Sequence, residues 1–192
     1  MSVRFFFVRH GQSSSNLRSD YYNDFDAPLT DLGKAQAARV GYELKNTGVR
    51  FKAVFCSPYQ RAIDTCKIAL LRSGDHRILA TIDDRIGERR FDGLIGHEAT
   101  EGRNRELCDY SSRWALQNGV ETLDSVEQRA RKFIKHVIRE YHEGDFLLFS
   151  HGIFGLVFRA VIEGRPKSGN LYDYVLLKNG GIEVYEVFDT IA

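Results

Sequence analysis

Cysteine is scarce. Cys56, Cys66 and Cys108 are odd in number and lack metal-ligand spacing, which argues against a disulfide framework or a structural zinc site. Buried, reduced thiols in a cytoplasmic protein are the expectation. Proline is equally thin at three residues, and no linker, repeat or low-complexity segment divides the chain. Neither sign of charge dominates: 27 Lys and Arg against 26 Asp and Glu leave +1, so no global field draws the chain to nucleic acid or a membrane surface. Long apolar runs are missing too. The N-terminal run is short and broken by Arg9, and the stretch from Phe146 to Ile162 is interrupted by His151 and Arg159. A signal peptide and a transmembrane helix are therefore not expected, and the oligomeric state stays open. The 192 residues, 43% apolar, suffice for one domain (1–192) with a substantial core.

What is present alternates between strand and helix patterns. Residues 3–8 form an apolar run rich in Phe and Val that ends in Arg9-His10-Gly11-Gln12-Ser13. A polar loop to Asp26 follows, pinned by Tyr21, Tyr22 and Phe25. A helix is expected over about 31–45, capped by Thr30, with an apolar stripe of Leu32, Ala35, Ala38 and 40–44. Residues 51–56 read as a second strand, and Ser57-Pro58 as the cap and first position of the next helix. A third strand is expected at 77–82. From about 83 to 121 regular patterning lapses, apart from a helical piece near 107–116, and an irregular excursion of that length reads as a substrate-binding insert. A helix over about 122–141, a strand at 145–149 ending in Ser150-His151-Gly152, and a helix over 153–162 follow. Residues 171–177 and 182–188 read as a closing hairpin. The alternation predicts an α/β fold: a three-layer arrangement with a mostly parallel central sheet and helices on both faces.

Three strand-to-helix junctions carry unusual polar residues: Arg9-His10-Gly11, Ser57 with Arg61, and Ser150-His151-Gly152. In a doubly wound sheet equivalent strand ends share one crevice. Two arginine forks, two imidazoles and amides near helix starts suit a dianionic phosphoryl group. One neutral histidine attacks phosphorus, the second, protonated, stabilises the transferring oxygens, and a carboxylic acid protonates the leaving oxygen.

These residues, together with Asn16, Thr65 and Glu88, resemble the histidine phosphatase (phosphoglycerate mutase-like) superfamily over essentially the whole chain. The resemblance implies His10 as phosphorylated nucleophile, with Arg9, Arg61 and His151 completing the phosphate pocket and Glu88 as proton donor. It implies Gly11, Gln12, Asn16 and Gly152 as substrate-binding positions, and no metal or other cofactor. Asp83, Asp84 and Asp92 are rival carboxylates. Arg89 binds a second anionic group of the substrate or pairs with a neighbouring acid. The segment Glu88 to Gly96 is similar to one in the mutases, but the lysine expected after it is replaced near Ala99. The later Arg-Arg pair is not evident, with Arg103 and Arg105 as substitutes on either side of Asn104. The expectation is a metal-independent phosphomonoester phosphatase that releases inorganic phosphate from a phosphorylated small molecule or phosphoprotein. A cofactor-dependent phosphoglycerate mutase is the alternative, and a non-catalytic phosphate-binding module the third reading.

Overall fold

Consecutive Phe5, Phe6 and Phe7 send aromatic rings to alternate faces of a strand, so the run demands cover on both sides. The computed structural model describes residues 2–21, 24–75, 78–165 and 169–188, and it meets that demand. The first half of the chain comprises β1 (Ser2–Arg9), α1 (Asp31–Thr47), β2 (Ala53–Cys56), α2 (Gln60–Ser73) and β3 (Thr81–Ile82). The second comprises α3 (Glu101–Leu107), α4 (Arg113–Gln117), α5 (Leu123–Tyr141), β4 (Gly144–Ser150), α6 (Gly152–Ile162) and β5 (Ile182–Phe188). Short 3-10 turns lie at Ser14–Leu17, Asp84–Ile86, Asp92–Leu94 and Leu171–Asp173.

The sheet order is β3-β2-β4-β1-β5, parallel except for β5, which runs antiparallel along β1. Val3, Phe5 and Phe7 pack on one face with Phe133 of α5 and Phe154 and Phe158 of α6. Phe6 and Val8 pack on the other with Val40 and Leu44 of α1 and Cys66 and Ala69 of α2. The expected mostly parallel sheet with helices on both faces is the one observed. Each buried aromatic contributes about 1.5–3 kcal/mol by leaving water.

Register positions the site. Arg9 pairs with Ser150 and Cys56 with Phe149, so His10, His151 and Ser57 each sit one residue beyond three adjacent parallel strands. The chain passes from β1 over to β2 and later inserts β4 between them, and ligands collect at such a switch.

Several local expectations are corrected. The buried face of α1 is Gly33, Ala37, Val40, Gly41 and Leu44, whereas Leu32 is exposed. Close backbone approach selects that face: a Cβ on Gly33 would lie 1.9 Å from the Gln12 carbonyl oxygen. A Cβ on Gly41 would lie 2.4 Å from that of Ala69. Helix α2 is capped at Tyr59 instead of Ser57, whose side chain is committed to His151. The third strand begins at Thr81 (Arg77 lies outside the described residues).

Within the insert, α3 and α4 flank a break at 108–112 where a single piece was expected. They build a small core of their own with Tyr21, Leu94 and Val120. The hairpin is half right. β5 takes the open edge of β1, and residues 174–177 run extended without a strand partner among the described residues. Their role is to cover the strand ends, as the site geometry makes plain.

Candidate active site

His10 is buried at the end of β1. Its backbone N–H donates to the Ser150 carbonyl (2.9 Å), and its carbonyl accepts from Gly180 N and Asn179 Nδ2, both at 3.1 Å. The ring Nδ1 lies 2.7 Å from the Gly11 carbonyl oxygen. A carbonyl only accepts, so the proton resides on Nδ1 and the Nε2 lone pair is left for chemistry. Arg61 Nε donates to that Nε2 at 3.2 Å. Burial, reinforced by Arg61, pushes the His10 imidazole well below 6.5, and it is neutral at physiological pH.

The His151 ring stands 5.1 Å from that of His10. Its Nε2 lies 2.6 Å from Ser57 Oγ. Burial, then the positive charges of Arg61 and Arg9, hold this imidazole well below 6.5 as well. The positive charge facing His10 and His151 comes from Arg9 and Arg61. Arg9 is steadied by donation from Nη1 to the Leu177 carbonyl (2.6 Å), which is the work of the 174–177 segment. Arg61 donates from Nη1 to the Asp24 carbonyl (2.9 Å) and lies over the Tyr59 ring. Thr65, one turn along α2, donates to the Arg61 carbonyl (2.6 Å) and accepts from Gly11 N (3.0 Å).

Among the described residues, the buried side-chain polar atoms without a partner are Arg9 Nε, His151 Nδ1 and Tyr59 OH. All three cluster here, since the Tyr59 ring meets His151 edge-on at 4.9 Å. An unpaired buried polar group costs about 1–3 kcal/mol, and a cluster of them marks a place built for a polar ligand.

Glu88 faces this cluster from the insert. Its carboxylate accepts from Arg89 N (2.9 Å), Phe154 N (3.0 Å) and Ile153 N (3.3 Å), so it caps the start of α6, where His151 provides no side-chain cap. Its negative charge acts on both Arg9 and Arg61. The segment that carries it is held from two sides. Ser150 Oγ donates to the Ile86 carbonyl (2.7 Å). Arg129 of α5 donates to the carbonyls of Arg85 (2.8 Å), Gly87 (2.7 Å) and Glu88 (3.1 Å). Asp83, a rival carboxylate, is paired with Arg85.

Other expected contacts are rearranged. The Gly11 amide is engaged by Thr65, and a Cβ there would lie 2.3 Å from the Gly33 carbonyl oxygen. This glycine lets the end of β1 approach α1 closely, and its amide is spent on Thr65 Oγ1. Gln12 is tied to α1 through its amide to Gln36 Oε1 (2.8 Å) and its Oε1 to Thr30 Oγ1 (2.9 Å). Asn16 accepts from Ser13 N and Asn179 Nδ2 through Oδ1, which leaves its amide nitrogen as a donor at the rim. Gly152 is buried beside Arg9 at the first position of α6.

Arg89 is 1% exposed, and its guanidinium donates to the carbonyls of Glu121 (2.6 Å) and Leu107, which braces the insert. Asn179, Arg129 and Tyr59 went unread in the sequence. Only Tyr59, inside the Ser57–Arg61 motif, offered a signal. Tyr22, expected with Tyr21 and Phe25 to pin the loop, lies outside the described residues.

Two buried imidazoles that resist protonation make stability pH-dependent. Below about 6.5 the unfolded chain takes up protons that folded His10 and His151 refuse, so stability is full above that pH and falls as pH drops through it. Thermal melts between pH 7.5 and 5.5 should show a falling Tm, with a shallower slope in His10→Gln. An unchanged slope would exclude His10 as a contributor.

Among the described residues no helix is long and apolar enough to cross a membrane. No group of three or more His, Cys, Asp or Glu among them is arranged to hold a metal ion. The chain is 33% identical over 159 residues to a 2,3-bisphosphoglycerate-dependent phosphoglycerate mutase of Mesorhizobium japonicum, covering 79% of this chain and 77% of that one. To the enzyme of that name from Rhizobium etli it is 32% identical over 132 residues, 66% of this chain and 63% of the other. For a Bifidobacterium longum relative the match spans 42% of its length, so the chain covers less than two thirds of some curated relatives. In fold it is similar to a mycobacterial glucosyl-3-phosphoglycerate phosphatase, with TM-score 0.79, 20% identity, and 97% and 91% of the two chains covered. A phosphoserine phosphatase from Entamoeba histolytica aligns with TM-score 0.77 at 18% identity, over 98% and 95% of the two chains. The pattern of the histidine phosphatase superfamily (branch 1) extends over residues 5–189, and the chain belongs to that family.

Proposed function

We propose that the protein is a phosphomonoester phosphatase acting through a phosphohistidine on His10. The observation that carries this reading is the fixed tautomer of His10: Nδ1–H is held by the Gly11 carbonyl, leaving Nε2 as the nucleophilic atom of a neutral ring. In the resting site Arg61 Nε covers that lone pair. A phosphoryl oxygen that takes over the Arg61 donor uncovers it. Nε2 then attacks phosphorus as the ester P–O bond breaks, and Glu88, entering as the carboxylic acid, passes its proton to the leaving oxygen. Water, deprotonated by the Glu88 carboxylate, attacks the phosphohistidine. The P–N bond breaks, the electron pair returns to Nε2, and inorganic phosphate leaves.

Arg9 and Arg61 carry the charge of the transferring oxygens. A bound dianion also offsets the repulsion that these arginines exert on His151, returning proton affinity to it where the transition state needs a donor. The reaction so written takes water but no metal or cofactor. Its substrate is a phosphorylated small molecule or phosphoprotein, and the three buried free thiols suit a cytoplasmic setting.

Mutase chemistry is the second reading, favoured by the names of the curated relatives. It requires cations to hold a second anionic group while a bisphosphorylated intermediate reorients. Ala99 packs into the small core of the insert. Arg103 donates to the Glu98 carbonyl (2.6 Å), and Arg105 lies over the Tyr172 ring. These placements support the phosphatase reading. With 3-phosphoglycerate and a bisphosphoglycerate primer, phosphate release should exceed isomerisation at least about tenfold. Faster isomerisation would make it a mutase, and binding without either reaction a phosphate-binding module.

A further inference from the structure

A cavity of about 540 Å³ opens beside the phosphate-binding groups, walled by Phe91, Leu107, Ile153, Leu156, Tyr172 and Leu176. Its position follows from Gly152. A Cβ there would lie 3.1 Å from Leu176 Cδ1 and 3.2 Å from Arg9 Cζ, so the cavity wall and a phosphate-binding guanidinium are neighbours across one residue. Ile153, the next residue, donates its amide to Glu88 while its side chain lines the cavity. The cavity thus adjoins the start of α6 that Glu88 caps, while Glu88 itself lines a neighbouring hollow with Arg90.

The lining is chemically one-sided. Its one cation is Arg89, whose Nε and Nη1 already donate to backbone carbonyls. Where an arginine pair would grip a second anion, Asn104 lines the wall. Its Oδ1 accepts from Tyr21 OH (2.7 Å), and its amide nitrogen is a neutral donor in place of a cation. At the rim, Tyr174, Val175 and Leu176 form a run of exposed apolar residues, with Val175 80% exposed. Pockets of this size and lining favour apolar groups, because the one guanidinium in the wall spends Nε and Nη1 on backbone carbonyls and leaves little to offset the desolvation of a carboxylate or second phosphate.

We infer that the preferred substrate is a monoester of an uncharged, apolar alcohol, aromatic or branched, seated in this cavity with at most one hydrogen-bond acceptor. The inference rests on the phosphatase reading and narrows it to a substrate class.

The test compares kcat/KM for 2-phenylethyl phosphate, glycerol 3-phosphate and 3-phosphoglycerate. All three are primary alkyl esters, so leaving-group reactivity is closely matched and the pocket decides. The phenylethyl ester is expected to lead by at least about 100-fold. Leu176→Lys, a substitution at the partly exposed rim, should shrink that ratio at least about tenfold by wetting the wall and adding a cation. Equal or greater turnover of 3-phosphoglycerate by the wild-type enzyme would overturn the inference and leave the phosphatase reading standing. It would move the leaving group to the hollow that Glu88 and Arg90 line together. No phosphate release from any ester would overturn the phosphatase reading itself. The wild-type ratio decides even if the variant fails to fold.

Discussion

Replacing His10 with asparagine is expected to lower phosphate release by at least roughly 10,000-fold while the protein stays folded. The size of the effect follows from the reaction: without an imidazole Nε2 there is no covalent intermediate, and nothing nearby replaces it. His151 is the nearest ring, but its Nε2 lies against Ser57 Oγ. The fold should tolerate the change because an asparagine amide nitrogen still offers a donor for the Gly11 carbonyl that holds Nδ1. The variant also removes one of the two buried imidazoles. Steady-state release and a thermal melt, run together, check both halves. Release within tenfold of wild type would assign the nucleophile elsewhere.

The second large effect belongs to Glu88 and discriminates between two roles of one side chain. As a general acid, Glu88 matters in proportion to how badly the leaving oxygen needs a proton. Glu88→Gln should therefore slow alkyl phosphates by about 100- to 10,000-fold, and aryl phosphates, whose phenolates leave unaided, by less than about tenfold. As the cap of α6, Glu88 receives three backbone N–H groups, and a glutamine oxygen keeps part of that function. A purely structural role would slow both classes equally and lower Tm with them. Equal losses would leave Glu88 as a helix cap and reopen the search for the acid.

Much of this was legible because the signals were local. The Phe5-Phe6-Phe7 run needs cover on both faces, and its abrupt end at Arg9-His10-Gly11 falls in register with Ser150-His151-Gly152. Motif and topology point to the same crevice. The missed features share a different cause. Gly33 and Gly41 choose the buried face of α1 through backbone contact, which carries no hydropathy signal. Residues 171–177 look like a strand because apolar residues dominate them, yet with β4 and β5 on either side of β1 they cover the strand ends and hold Arg9.

Arg129 is an ordinary helix arginine in sequence, and only tertiary structure reveals it gripping the segment that carries Glu88. Ser57 before Pro58 matched a helix cap, but a 2.6 Å contact with His151 outweighed that local preference. Arg89 carries the charge expected of a substrate ligand or an ion-pair partner; its guanidinium is braced by backbone carbonyls and lines the cavity. Burial of a guanidinium among backbone oxygens is invisible to composition.

The central claim is a phosphoryl group on His10, and the most direct measurement is peptide mapping by mass spectrometry of enzyme quenched in alkali during its first turnover. Phosphohistidine survives alkali and is lost in acid, so the quench preserves the species in question. A phosphoryl group is expected on the peptide bearing His10, appearing before free phosphate and absent from His10→Asn. Phosphate release with no labelled peptide, or a label on any other residue, would contradict it.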